Sequence, residues 1–341
     1  MTAPHSGQPS GPPTGPPTGS STSAATSAGT ATPSLSPTQA LAGASRLRKL
    51  ELTILRRLDG LLQGDVQALI PGRGSEPGEA RLYSAGDDVR RIDWNVTARS
   101  IEPHVRETIA DREVEVTLVV DRSASMRFGT ALGTKADLAV AGGATVAVLA
   151  ARNPASRIGA IIATGGASTV VVPPLAGRQA LFALLDKLAR TNASATAEPV
   201  DLVAVLRGVG RTTRRRGLIV VVTDFLAPMD WESALGALAH RHDVLCLEVV
   251  DPRELELPAI GPMALADAET GQVRRITITK SIAERYKDAA SAQRQRIADS
   301  ITRTGASHLQ LRTDVDWVLQ IADFVRRRKR QATRGRKVVT R

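Results

Sequence analysis

Two runs, Val116-Thr117-Leu118-Val119-Val120 and Leu218-Ile219-Val220-Val221-Val222-Thr223, are apolar or β-branched at every position, and each stops at an acid, Asp121 and Asp224. Short runs of this kind predict strands buried on both faces, as in parallel sheets. Further strands are expected at 157–163, 244–250 and 308–311. A strand at 168–172 is marked as a sheet edge by Pro173-Pro174. Between the strands lie helical patterns. Residues 135–151 are apolar almost all round, and 177–190 carry Leu181, Leu184, Leu185 and Leu188 on one stripe. Residues 200–211, 230–241, 281–304 and 315–328 continue the series, and Glu269-Thr270-Gly271-Gln272 reads as a hairpin turn. This alternation over about 200 residues predicts an α/β fold, a doubly wound, mostly parallel sheet.

The pattern fades toward both ends. Residues 1–44 are mostly Ser, Thr, Pro, Gly and Ala without a Lys, Arg, Asp or Glu, a composition that predicts disorder. A helix is expected from Ala44-Ser45 to Leu61-Leu62. It leads into a charged, irregular segment with some β character, so 45–112 form a smaller region ahead of the α/β domain at 113–328. His104 to Thr108 reads as extended. Residues 329–341 are expected to be a basic, disordered tail.

Composition narrows the reading. At 341 residues and 42% hydrophobic content the chain can build a large core, filled by aliphatic side chains because aromatics are only 3%. The single cysteine, Cys246, excludes an internal disulfide, fits a reducing compartment and reads as a small buried hydrophobe. No stretch is apolar enough for a membrane-spanning helix and the first residues lack a signal-peptide pattern, so a cytoplasmic location is expected. Of the net charge of +11, nine charges lie between Arg326 and Arg341, where no acid occurs. That tail reads first as a solubilising extension. Tethering to nucleic acid or an anionic membrane surface is the alternative, and the nearly neutral body argues against a nucleic-acid protein.

The chemistry gathers at the end of the first buried strand. Asp121, Ser123 and Ser125 form Asp-x-Ser-x-Ser, three hard oxygen donors on one short turn, which suits Mg²⁺, with Mn²⁺ or Ca²⁺ as alternatives. The competing local reading is a turn whose hydroxyls cap backbone amides. Asp224 brings a second carboxylate to the same rim. No catalytic residue is assigned: Gly-x-Ser-x-Gly, Walker A and His-Glu-x-x-His are absent, and a metal-dependent hydrolase is the weaker alternative. Arg214-Arg215-Arg216 reads as a solvated helix end, and His240 and His242 as surface residues.

The stretch Tyr83-Ser84-Ala85-Gly86-Asp87-Asp88-Val89-Arg90-Arg91-Ile92-Asp93-Trp94, followed by Ala98-Arg99 and Val105-Arg106-Glu107, resembles the signature of the DUF58 family. Val222-Thr223-Asp224-Phe225 and Val250-Asp251-Pro252-Arg253-Glu254 resemble later motifs of the same family. The resemblance implies a von Willebrand factor A type domain with a metal-ion-dependent adhesion site held by Asp121, Ser123, Ser125 and Asp224. It also implies a Thr from a second loop, with the last coordination position filled by a partner's acid. In place of the expected Gly-Gly-Thr-Asp-Leu the chain has Glu198-Pro199-Val200-Asp201-Leu202, so Val200 stands where the Thr would be and Thr196 is the stand-in. Gly86, Asp87, Asp88, Arg91, Asp93, Trp94 and Arg99 are carried as signature and interaction candidates. The implied role is a non-enzymatic, metal-dependent adaptor or chaperone-like partner of a MoxR-type AAA+ ATPase.

Overall fold

The structure, a computed structural model, describes residues 51–58, 80–84, 89, 92–100, 102–106, 114–191, 199–266 and 272–339. Its centre is a six-stranded sheet. The strands are β3 (Glu115–Asp121), β4 (Arg157–Gly165), β5 (Ser168–Ala176), β6 (Leu218–Thr223), β7 (Asp243–Val250) and β10 (Ser307–Arg312), in the order β10-β7-β6-β3-β4-β5. Every pairing is parallel except β4 with β5, which closes one edge antiparallel. Residues 51–58 are helical. Two short ribbons lie outside this sheet: β1 (Ala80–Leu82) with β2 (His104–Arg106), and β8 (Gly261–Ala266) with β9 (Val273–Ile278).

The two faces of the sheet are read directly from the period of two. Val116, Leu118 and Val120 of β3, Leu218, Val220 and Val222 of β6, and Leu245, Leu247 and Val249 of β7 share one core. That core is covered by α2 (Lys135–Ala150), α3 (Arg178–Arg190), α8 (Trp317–Val339) and residues 51–58. Val119, Ile219, Val221, Val244 and Cys246 point the other way, against α4 (Leu202–Thr212), α5 (Trp231–Arg241) and α7 (Lys280–Arg303). With helices on both faces, the sheet is doubly wound and its central strands must be apolar throughout, as they are. Cys246 is fully buried, as the sequence implied.

α2 lies between the sheet and its neighbouring helices α3 and α8, which explains why its sequence lacks a polar stripe. Thr134 and Asp137 form a capping box at its start. Three details differ from the sequence expectation. β5 continues through Pro173 and Pro174, which an edge strand allows because its outer side needs no N–H donor. α8 runs on to Val339, because Arg, Lys, Gln and Ala are all good helix formers. His242 is 4% exposed instead of lying at the surface, because the turn from α5 into β7 folds its ring inward.

In the region ahead of the sheet, Asp93 caps the short helix α1 (Trp94–Thr97) by accepting from the amides of Asn95 and Val96. Trp94 is 71% exposed and Arg99 is exposed. Gly86, Asp87, Asp88, Arg91 and Thr196, the expected turns at Gly86-Asp87-Asp88 and around Gly271, and residues 1–44 lie outside the described residues.

Candidate functional site

β3 leads through α2 to β4 on one side of it, and the chain later returns to place β6 on the other side. The carboxyl ends of β3 and β6 therefore flank a point where the winding direction changes, the usual position of a ligand crevice in an open α/β sheet. A cleft of about 380 Å³ opens there. Its floor carries Asp121, Ser123, Ser125, Thr223 and Asp224, and its walls are Pro199, Val200, Leu202, Leu226, Ala227 and Pro228. Four of the five predicted site residues thus come together, and the fifth, Thr196, lies outside the described residues.

Asp121 ends β3 and is 7% exposed. Its Oδ1 accepts from the Ser123 amide at 2.8 Å and its Oδ2 from the Thr223 hydroxyl at 2.6 Å. The Ser123 and Ser125 hydroxyl oxygens are 3.1 Å apart. Arg122 braces the turn by donating to the carbonyls of Thr191 and Ala136. Burial first, and then the neighbouring Asp224 charge, push the Asp121 carboxyl above its usual range. Two neighbouring buried carboxylates favour a positive charge beside them.

Asp224 is presented by an unusual backbone. Phe225 follows it with φ at +54°, the left-handed region that a bulky residue rarely enters. The Asp224 Oδ1 accepts from the Leu226 amide at 3.0 Å, and the Phe225 ring packs edge-on to Trp231 with centroids 5.2 Å apart. Its other oxygen, Oδ2, accepts from the Lys135 ammonium at 2.7 Å. Lys135 is 1% exposed and forms a second ion pair, 2.5 Å, with Glu254 Oε1. Burial alone would lower the lysine's pKa, but the two carboxylates outweigh it and hold it above the usual value.

Behind Glu254 the network continues. Arg294 donates to Glu254 Oε2 at 3.0 Å, to Glu248 Oε1 at 3.0 Å and to the Asp224 carbonyl at 2.9 Å. Glu248, wholly buried, also meets His308 Nε2 at 2.9 Å and accepts from Gln310 at 3.2 Å. A neighbouring anchor is Asp251, which caps the short helix α6 (Pro252–Leu255). It accepts from the amide and hydroxyl of Thr130, the Thr313 hydroxyl and the Arg253 amide. Burial alone would raise its pKa, but these donors hold the carboxyl below its usual range.

The donor set fits a hard divalent cation. Neighbouring oxygens in an octahedral Mg²⁺ shell at 2.0–2.1 Å lie about 3.0 Å apart, close to the separation of the two serine hydroxyls. Among the described residues no group of three His, Cys, Asp or Glu side chains is placed to hold a metal, so the hydroxyls are essential to any such site. Val200 lines the cleft with a hydrocarbon side chain where the resemblance implies a hydroxyl. Both Asp224 oxygens already have partners, which favours an indirect role through water. Sequence reasoning missed Thr223, Lys135, Glu254 and Arg294 as site residues. The available signals were a lone lysine at the head of an apolar helix and the acid closing Asp251-Pro252-Arg253-Glu254.

No helix among the described residues is long and apolar enough to cross a membrane. The chain is 48% identical over 292 residues to Uncharacterized protein Rv1480 of Mycobacterium tuberculosis, covering 86% of this chain and 92% of that protein. It is 43% identical over 165 residues to Uncharacterized protein MAV169 of Mycobacterium avium, covering 48% of this chain and 98% of that protein. Among solved structures it is similar to an aerotolerance-related membrane protein from Bacteroides fragilis, at 15% identity and a TM-score of 0.41, covering 64% of this chain and 99% of that one. It is also similar to the SpRpn10 VWA domain, at 11% identity and a TM-score of 0.33, covering 61% and 94%. A family model described as "Protein of unknown function DUF58" matches residues 79–296, well over half of the sequence, and the chain belongs to that family.

Proposed function

We propose that the chain is a non-enzymatic, divalent-cation-dependent protein-interaction module. Asp121, Ser123 and Ser125 would hold Mg²⁺, Thr223 would orient the Asp121 carboxylate, and Asp224 would add charge through a water. The ion supplies an electrophilic position that a carboxylate of another protein can fill. The observation that carries this reading is the convergence of an acid, two hydroxyls and a second acid on the floor of an open cleft whose walls are apolar. Such walls suit an acidic side chain flanked by aliphatic ones, because the desolvated carboxylate would have the ion as its counter-charge. The family resemblance names the partner class, a MoxR-type AAA+ ATPase.

The test is calorimetric titration of Mg²⁺ and Mn²⁺ into the full chain and into Asp121→Ala. Binding that Asp121→Ala abolishes, together with association with the MoxR-type ATPase of the same genome that EDTA reverses, is the expected result. Absence of metal binding, or equal association with and without EDTA, would overturn the proposal.

A further inference from the structure

Among the described residues, Lys135 is the one lysine paired with the second acid of the cleft. It is the first residue of α2, and its Nζ reaches Asp224 and Glu254, which are 89 and 119 residues away in sequence. A lysine this deeply buried is costly unless its charge is matched. The ammonium is matched by two carboxylates, Asp224 and Glu254, and Arg294 ties Glu254 to Glu248 behind them, while Asp121 lies near enough to Asp224 for their charges to interact.

We infer that Lys135 is an internal counter-cation that shares Asp224 with the bound metal and sets how tightly the cleft holds it. This inference rests on the metal-dependent reading above. By occupying Asp224 Oδ2 the ammonium keeps that carboxylate from closing on the ion, leaving Asp121 as the acid with direct access. The ion then keeps more of its positive charge for the partner's carboxylate. Glu254 draws the ammonium the other way, and Arg294 in turn holds Glu254, so the position of α7 bears on how much of Lys135 Asp224 receives.

The experiment is Mn²⁺ titration by calorimetry into the full-length wild type, Asp121→Ala, Lys135→Gln and Glu254→Gln, with circular dichroism and thermal melting on each. Removing a unit charge that shares a carboxylate with the ion is expected to tighten binding by about tenfold or more in Lys135→Gln, even at the dielectric constant of water. Glu254→Gln, which leaves the ammonium to Asp224 alone, is expected to weaken binding several-fold. Opposite signs distinguish charge sharing from a structural role, which would weaken both. Should Lys135→Gln fail to fold, Lys135→Met takes its place: tighter binding with an unchanged spectrum supports the inference, and unchanged or weaker binding overturns it. Both variants within twofold of wild type, with Asp121→Ala dead, would overturn the role of Lys135 and leave the metal site standing. No heat from any protein, Lys135→Gln included, would remove the metal site and this inference together.

Discussion

His242, just before β7, and Cys246, within it, are both buried, and burial shifts both from their ordinary pKa values. Burial, then the charges of Arg241 and Arg216, push the imidazole down, with Asp243 opposing. Among the described residues Nε2 has no hydrogen-bond partner. The unfolded chain therefore binds a proton more readily, and stability present above the ordinary histidine pKa of about 6.5 is lost as pH falls from there through the lower folded-state value. Urea midpoints between pH 7.5 and 5.5 should fall for the wild type and fall less for His242→Phe. Burial, then Glu248, pushes the Cys246 thiol far above its usual range. It should stay unmodified by a disulfide reagent in the native protein at pH 8 and react promptly in guanidinium. The sequence made Cys246 legible because Val244, Leu245 and Leu247 around it are all apolar. His242 was not legible because His240-Arg241-His242-Asp243 is polar at every position, leaving no period to show which ring turns inward. Asp121, Ser123, Ser125 and Asp224 were legible from strand ends. Lys135 was not, since its partners are brought to it only by the tertiary fold.

At the scale of elements, two glycines in the same domain make opposite demands. Gly143 lies in the middle of α2, and a Cβ there would meet Leu118 and Val120 side chains at 3.7 Å, an ordinary contact. Gly143→Ala should stabilise by roughly 0.5–1 kcal/mol, the propensity gain of alanine in a helix interior. Gly159 lies in β4, and a Cβ there would stand 2.8 Å from the Val172 carbonyl oxygen and 2.8 Å from the Pro174 nitrogen, both backbone atoms of β5. Gly159→Ala should cost about 1–3 kcal/mol by forcing the edge strand away. Chemical denaturation of the two variants side by side checks both signs. The close approach coincides with the register shift between Ile158 and Ala160, the irregularity that lets β5 carry Pro173 and Pro174. The edge character of β5 could be read from those prolines. Its continuation to Ala176 could not, because it depends on the local fit to β4 and on Arg157 donating to the Pro174 carbonyl.

For the whole molecule, the alternation of strands and helices was enough to fix the architecture, whereas the first helix was read as belonging to a separate region. Residues 51–58 instead join the main core: Ile54 and Leu58 are fully buried among its side chains, Arg57 pairs with Asp316 at 2.6 Å and Glu51 with Arg178 at 2.7 Å. Ile54→Ala and Leu58→Ala should each cost about 2–5 kcal/mol, and Arg57→Ala under about 1 kcal/mol because that pair is partly exposed. Both sets are checked by urea midpoints at constant slope. The ion pairs around Lys135 have a further consequence for how the protein is made. Lys135 leaves the ribosome long before Asp224 and Glu254, so a nascent chain that folded β3, α2 and β4 early would seal an ammonium in apolar surroundings with no counter-charge. Synthesis at ordinary rates of roughly 5–20 residues per second leaves several seconds before the last of these partners emerges. The amino-terminal half must wait, open, for the carboxyl-terminal half, and its exposed strands are then a natural client for a chaperone.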